Sequence, residues 1–207
     1  MKNMRRTLMM GLVLVTVLGC GSGIVPWRVL SQANPNPVQG QKEFVVAPVD
    51  FSTLAVGAKS EAEYLSKKTP EERAGWEHAK AAFQEEFGKA IRAGGTQAGL
   101  NITLGGTPAP FVIRPKVDYI EPGYYAYVSS SASGVKVTMK ITTADGKDVD
   151  EVLLEHHTSA SMGSASVESR VRADGEGMGA QAAQYIAQRV APHTAGAVGG
   201  AGATTRQ

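Results

Sequence analysis

Cysteine is almost absent: Cys20 is the only one in 207 residues. A single thiol forms no internal disulfide, so no disulfide framework holds the fold. Long apolar runs are missing after the first 20 residues; no later stretch reaches the 18 consecutive apolar residues of a membrane-spanning helix. An excess of one charge is missing too. The 21 Lys and Arg stand against 19 Asp and Glu. Three of those basic residues, Lys2, Arg5 and Arg6, sit in the first six positions, and without them the rest carries 18 against 19, a formal charge of −1. No basic stripe points to nucleic acid as a partner. What is present is a chain 43% hydrophobic and 19% charged, enough apolar material for one core of ordinary size.

The first 19 residues have the layout of a signal peptide. The basic start is followed by an apolar run from Leu8 to Leu18, interrupted by Gly11 and Thr16. Eleven residues are too few to span a bilayer. The run ends Val17-Leu18-Gly19-Cys20 and continues Gly21-Ser22-Gly23. This resembles the lipobox of bacterial lipoproteins. That resemblance implies a diacylglyceryl group on the Cys20 thiol, cleavage just before it, and acylation (palmitate or similar) of the new amino terminus. Two or three acyl chains supply stable anchoring, which one chain does not. Gly21 stands where lipoproteins of two-membrane bacteria often carry an Asp for inner-membrane retention. The resemblance therefore implies an outer-membrane lipid anchor, with the folded part in the periplasm or at the cell surface.

Residues 20–42 are Gly-, Pro-, Asn- and Gln-rich and without period, and are expected to be the lipidated N-terminus and a flexible tether. Trp27, Val29 and Leu30 are its apolar exception, suited to lie on lipid headgroups or to dock on the domain, with docking expected. A single domain is expected over 43–192 and a disordered Gly/Ala/Thr tail over 193–207. "FVVAPVDF" (44–51) reads as a strand, with Pro48 marking an edge or a strand end. Residues 52–68 read as a polar loop or broken helix. Thr69-Pro70-Glu71-Glu72 is a capping box, and Trp76, Ala79, Phe83, Phe87 and Ile91 make one apolar stripe behind it. Gly94-Gly95 is expected to end that helix. Strands are expected at 100–105, 110–120 and 124–128. In 134–142, Val135, Val137, Met139 and Ile141 alternate with Lys136, Thr138, Lys140 and Thr142, one face buried and one wet. Asp145-Gly146 signals a hairpin, with 152–156 returning. A second helix is expected from an N-cap at Asp174 to Val190, stopped by Pro192.

The order strand, long helix, antiparallel strands, helix gives an α/β (α+β) fold. Its form is a two-layer sandwich, a mixed, mostly antiparallel sheet of four to five strands with two main helices. The lipobox, the tether, "FVVAPVDF", the capped helix, the turn "TTADGKDV" and the closing "MGAQAAQYIAQRV" together resemble periplasmic lipoproteins with a domain of the CsgG, LpoB or TolB-N-terminal type, over about residues 43–191. The resemblance implies a non-catalytic domain that binds envelope proteins or self-associates. No functional residues carry over, and no pair of long alternating segments suits a secretion pore of the CsgG kind.

Chemistry-bearing patterns are sparse. His156 and His157 are neighbours in a strand and point to opposite faces, so they do not share one metal ion. "DGEGMG" (174–179) lacks the Gly-Lys-Ser/Thr ending of a phosphate loop and reads as flexible entry to a helix. The serines of 129–133 and 158–166 sit in no nucleophile elbow and read as loops. No catalytic, cofactor or metal residues are assigned. Tyr119, Tyr124, Tyr125 and Tyr127 are the densest aromatic group and the candidate partner contact, since exposed tyrosines anchor protein interfaces. The expected function is a membrane-anchored binding or assembly module for envelope components. The alternative is an envelope-polymer hydrolase joining a serine, His157 and an acid; a histidine within hydrogen-bond reach of both other groups separates the two.

The anchor is tested first. Cys20→Ala is expected to abolish incorporation of labelled fatty acid and to change the mass of the processed protein; retention of the label overturns the assignment.

Overall fold

Thr69 opens the longest helix as its capping box predicts. Its hydroxyl accepts from the Glu72 amide at 3.3 Å, and the Glu72 carboxylate accepts from the Thr69 amide at 2.9 Å. The computed structural model describes residues 27–126 and 128–192. The expected lipid site Cys20, residues 21–26, Tyr127 and the tail from 193 lie outside the described residues. The strands are β1 (Trp27–Gln32), β2 (Glu43–Val46), β3 (Ala55–Val56), β4 (Lys59–Ser60), β5 (Asn101–Leu104), β6 (Phe111–Glu121), β7 (Tyr124–Ala126), β8 (Ser129–Ser131), β9 (Gly134–Thr143) and β10 (Asp148–His156). The helices are α1 (Glu61–Ser66), α2 (Pro70–Gln97) and α3 (Val167–Val190). The fold is the expected mixed α/β arrangement, with α2 and α3 as the two main helices against one large sheet. Among the described residues no helix is long and apolar enough to cross a membrane.

The sheet is larger than the expected four to five strands: eight strands, in the order β1-β10-β9-β6-β2-β5, with β3 and β4 attached beside β6. The segment 43–56 runs parallel to β6 and is broken at Pro48. β2 pairs with Phe111–Ile113, Asp50 makes an isolated bridge to Lys116, and β3 pairs with Tyr119–Ile120. Pro115 lies inside β6, normally a poor place for proline. The Ile113 and Pro115 carbonyls and the Val117 amide all bond to this segment, so the Pro115 nitrogen faces the same side. Its missing N–H is therefore aimed at the break that Pro48 makes, and no ladder bond is lost there. Pro48 marks a strand end, and β2 is internal to the sheet.

One face of the sheet carries the core. Val135, Val137, Met139 and Ile141 are all buried, as are Trp76, Ala79, Phe83, Phe87 and Ile91 of the α2 stripe. The other face is wet and charge-paired. Lys136 stands opposite Glu155 at 3.4 Å, and Lys140 stands opposite Glu151 at 3.7 Å. Thr142, expected on the wet face, is buried, and it accepts from Arg114 Nε at 3.3 Å.

Three expectations are corrected. Gly94-Gly95 does not end α2; the helix continues to Gln97 and gives way at Gly99, whose φ is +73°. The two glycines serve close packing, because a Cβ on Gly94 would sit 2.6 Å from Ala183 Cβ and one on Gly95 2.6 Å from Ile102 Cδ1. Helix α3 does not start at Asp174 but seven residues earlier, capped by the Ser166 hydroxyl, which accepts from the Ser169 amide at 3.0 Å. "DGEGMG" is consequently mid-helix, not a helix entry. A Cβ on Gly175 would stand 2.6 Å from the Phe83 carbonyl oxygen, and one on Gly179 would stand 2.5 Å from that of Phe87. These glycines bring the α3 backbone down onto α2. They cost roughly 1 kcal/mol each in helix propensity against alanine.

The third correction concerns the tether. Residues 27–42 belong to the fold. β1 adds an antiparallel edge strand to β10, with Trp27 opposite Leu154 and Gln32 opposite Asp150. Trp27 meets Tyr185 edge-on at 5.8 Å, which is the docking expected of it, and Val38 is fully buried. Asp150 holds this region to α3. A bulge between Asp148 and Asp150 turns the carboxylate inward. There it accepts from Arg189 Nε at 2.6 Å, Arg189 Nη2 at 2.9 Å, Tyr185 Oη at 2.8 Å and the Ala33 amide at 3.2 Å. The pairing raises the Arg189 guanidinium above its ordinary value, while burial first and the Asp150 carboxylate next push the Tyr185 phenol up. Asn36 and Gly40 complete the attachment, donating to the carbonyls of Arg189 and Val190.

Phe83 carries the packing prediction. It is fully buried and stacks on Phe87 with ring centroids 6.1 Å apart. Phe83→Ala is expected to lower unfolding free energy by about 3–5 kcal/mol in denaturant titration; a loss under about 1 kcal/mol places Phe83 outside the core.

Candidate contact surface

Strands β6 and β9 form a long hairpin, and its tip leaves the sheet as a separate two-stranded ribbon, β7–β8. Tyr124 lies opposite Ser131, Tyr125 opposite Ser130, and Ala126 opposite Ser129. The ribbon is thus aromatic on one strand and small and polar on the other. Gly123 sets its entry. Its φ is +60°, and a Cβ there would stand 2.5 Å from the Ser131 carbonyl oxygen, so only glycine lets the two strands meet at the base.

The base is held by two buried charged residues one turn apart on α3. Arg170 is 1% exposed and Asp174 fully buried. The Arg170 guanidinium donates to the Pro122 carbonyl from Nη2 at 3.0 Å and Nε at 3.3 Å, where the chain leaves β6. Its Nη1 donates to the carbonyls of Ser164 at 2.8 Å and Ala165 at 2.7 Å. One guanidinium therefore ties the ribbon to the serine-rich loop before α3, in which Met162–Ser164 make a 3₁₀ turn. Burial draws the guanidinium below its ordinary value, and the Asp174 charge opposes that. Asp174 holds the other strand. It accepts from Ser133 Oγ at 2.6 Å, where the chain enters β9, and from Thr158 Oγ1 at 2.7 Å. His156 Nδ1 lies 2.9 Å from Oδ1, the oxygen that also accepts from Thr158.

The sequence-predicted residues distribute around this clamp. Tyr119 is half-buried and donates to Glu121 Oε2 at 3.2 Å. Burial, with the Glu121 carboxylate behind it, raises that phenol. Tyr125 is half-buried, and Tyr124 is 53% exposed. Val128 at the ribbon tip is 95% exposed and Met162 on the loop 86%. Arg170, Val128 and Met162 escaped the sequence, and Asp174 reads there as an N-cap and not as a buried anchor. The available signal was the pair Arg170/Asp174, charged positions four apart on an otherwise apolar helix face.

His156 and His157 diverge, as alternation predicts. His156 turns to Asp174, and His157 Nδ1 lies 3.3 Å from the Ser133 carbonyl oxygen. Among the described hydrogen bonds His157 has no carboxylate partner. Ser133, Asp174 and His156 do come together, but the carboxylate stands in the middle. A hydrolytic triad needs the imidazole between serine and acid to take the serine proton. Here the buried Ser133 hydroxyl donates straight to Asp174. This arrangement ties the start of β9, the end of β10 and α3 together, and the Ser133 hydroxyl meets the carboxylate in place of an imidazole. A groove of about 420 Å³ beside α2, lined by Val46, Pro48, Phe87 and Leu104 among others, carries a single carboxylate, Glu85.

No protein-family model matches the chain, and no curated protein matches it. Three of the solved structures it is similar to show the range of the likeness. A protein of Xanthomonas campestris aligns at 14% identity and a TM-score of 0.46, over 78% of this chain and 94% of that one. The PelC dodecamer of Paraburkholderia phytofirmans aligns at 13% and 0.42, over 75% and 96%. A minor lipoprotein of Acinetobacter baumannii aligns at 10% and 0.38, over 71% and 93%. At these values the likeness transfers neither activity nor partner to this chain.

Arg170→Met tests the clamp. It removes the bonds to three carbonyls while keeping most of the side-chain volume. The expected loss is about 1.5–3 kcal/mol, the range for a hydrogen bond to a charged group. Amide exchange is expected to rise first in the ribbon and the 159–165 loop, with α2 still protected. Unchanged exchange in the ribbon removes Arg170 from its support.

Proposed function

We propose that the chain is a lipid-anchored envelope module that acts by surface contact rather than by catalysis, and that the ribbon end is its contact surface. The lipobox-like start ending at Cys20 supports the anchor and, with Gly21, an outer-membrane position with the domain in the periplasm or at the cell surface. The observation that carries the contact role is the use made of α3's buried charges. Arg170 and Asp174 are both withdrawn from solvent to fix the two roots of a ribbon that then presents Tyr124 and Val128 outward. Burying charge is costly unless it is fully bonded, and here the bonding goes to positioning a surface. A module held at a membrane gains local concentration for whatever that surface meets.

A photo-crosslinking side chain at Tyr124, compared with the same group at Lys147 in the turn at the other end of the sheet, tests this in cells. Adducts at 124 and none at 147, in proteins of equal stability, are the expected result. Equal yields at both positions, or none at either, exclude the ribbon as a contact surface.

A further inference from the structure

The register of β1 states where the chain before it comes from. Trp27 lies opposite Leu154, which lies opposite Val137, which lies opposite Val117. β10 runs toward the ribbon end, from Asp148 to His156, and β1 is antiparallel to it. Followed backward from Trp27, the strand direction therefore leads toward the ribbon. The ribbon base, where Glu121 faces Gly134, is three ladder positions beyond the level of Val137, or about 10 Å, because β6 carries a bulge between Val117 and Tyr119. The turn at Asp145-Gly146 lies the other way, eight residues from Val137, or about 26 Å.

Between Cys20 and Trp27 there are six residues, so their Cα atoms are at most about 25 Å apart. The tether is thus far shorter than a 20–42 linker. An acyl-carrying Cys20 sits at the headgroup level, so the bilayer surface comes within about 25 Å of Trp27. The ribbon base already covers about two fifths of that distance, and the tip projects beyond it. Exposed apolar side chains here are Tyr124 and Val128 on the ribbon and Met162 on the loop, and Arg170 ties the two segments together at the carbonyls of Pro122 and Ser164. Tyrosine suits the headgroup zone, with an apolar ring and a hydroxyl that keeps its water.

We infer that the partner of the ribbon end is the bilayer itself. Tyr124, Val128 and Met162 rest in the lipid interface beside the anchor, and the β9–β10 turn points away from the membrane. This rests on the proposed lipidation of Cys20 and names the partner of the proposed contact surface. The short reach keeps Trp27 within about 25 Å of the surface, and the acyl chains together with an apolar tip give the two signals that stable membrane attachment takes.

The test uses the processed full-length lipoprotein in vesicles of phosphatidylethanolamine and phosphatidylglycerol at high lipid excess. Val128→Cys, Leu30→Cys and Lys147→Cys are each labelled with a thiol-reactive fluorophore and quenched with aqueous iodide. With Cys20 blocked by lipid, one label per chain is expected, and the label at 128 is expected to be several-fold less quenched than that at 147. Equal quenching at 128 and 147 in protein that floats with the vesicles overturns the inference and leaves the anchor standing. Protection at 30 in place of 128 lays the β1 edge on the bilayer and overturns it as well. Protection at 128 that is lost as lipid is increased identifies a second copy as the occupant, again against it. Two labels per chain with no flotation overturn the anchor, and the membrane-facing end falls with it.

Discussion

The approach of α3 to α2 governs the rest of the molecule. Gly175 and Gly179 let backbone meet backbone at Phe83 and Phe87, where a methyl group would stand about 2.5 Å from a carbonyl oxygen. The helix accepts poor intrinsic propensity for this. Between these two glycines Gly177 faces β10, where a Cβ would collide with His156 Nε2, so the same stretch of α3 closes on the sheet as well as on α2.

Two polar pairs spaced four residues apart then act at the two ends of α3. Arg170 and Asp174 hold the ribbon roots and the serine loop. Tyr185 and Arg189, through Asp150, hold β1 and the loop after it. Each buried charge is bonded on several sides, which is what makes burial tolerable. The same helix therefore decides where the aromatic ribbon projects and where the N-terminal chain enters. Both lie toward the same end of the sheet.

The wet face of the sheet is ordinary by comparison. Its lysines and carboxylates pair across β9 and β10 in exposed positions, where such pairs contribute about 0–1 kcal/mol. Pro48 and Pro115 interrupt the same gap in neighbouring strands, so two residues that weaken a ladder separately share one break. The serine tracts, which look alike in sequence, part company in the structure: Ser133 is a buried root of the ribbon, whereas Ser129 and Ser130 are exposed on it.

The local signals in the sequence proved sufficient for the local elements. The capping box at Thr69, the Trp76 to Ile91 stripe, the alternation of β9 and the Asp145-Gly146 turn each depend on neighbours within a few positions, and periodicity reports such dependence directly. The same signals sufficed for the α/β class. They failed wherever a residue's role is set by a partner far along the chain. Residues 27–42 look like a linker because their bonds go to residues more than a hundred positions away, on β10 and α3. Asp174 looks like an N-cap because Asp commonly is one, and its burial becomes visible only when Ser133, His156 and Thr158 close around it. The glycines of α3 look like loop residues because nothing local shows that another helix backbone passes within van der Waals range. Sequence by itself determined the capped start and buried stripe of α2, the alternation of β9 and the position of the lone cysteine. Tertiary structure alone decided which charges are buried, where the edge strand attaches and which end of the sheet the ribbon shares with the entering chain, because those depend on groups brought together only when distant segments pack.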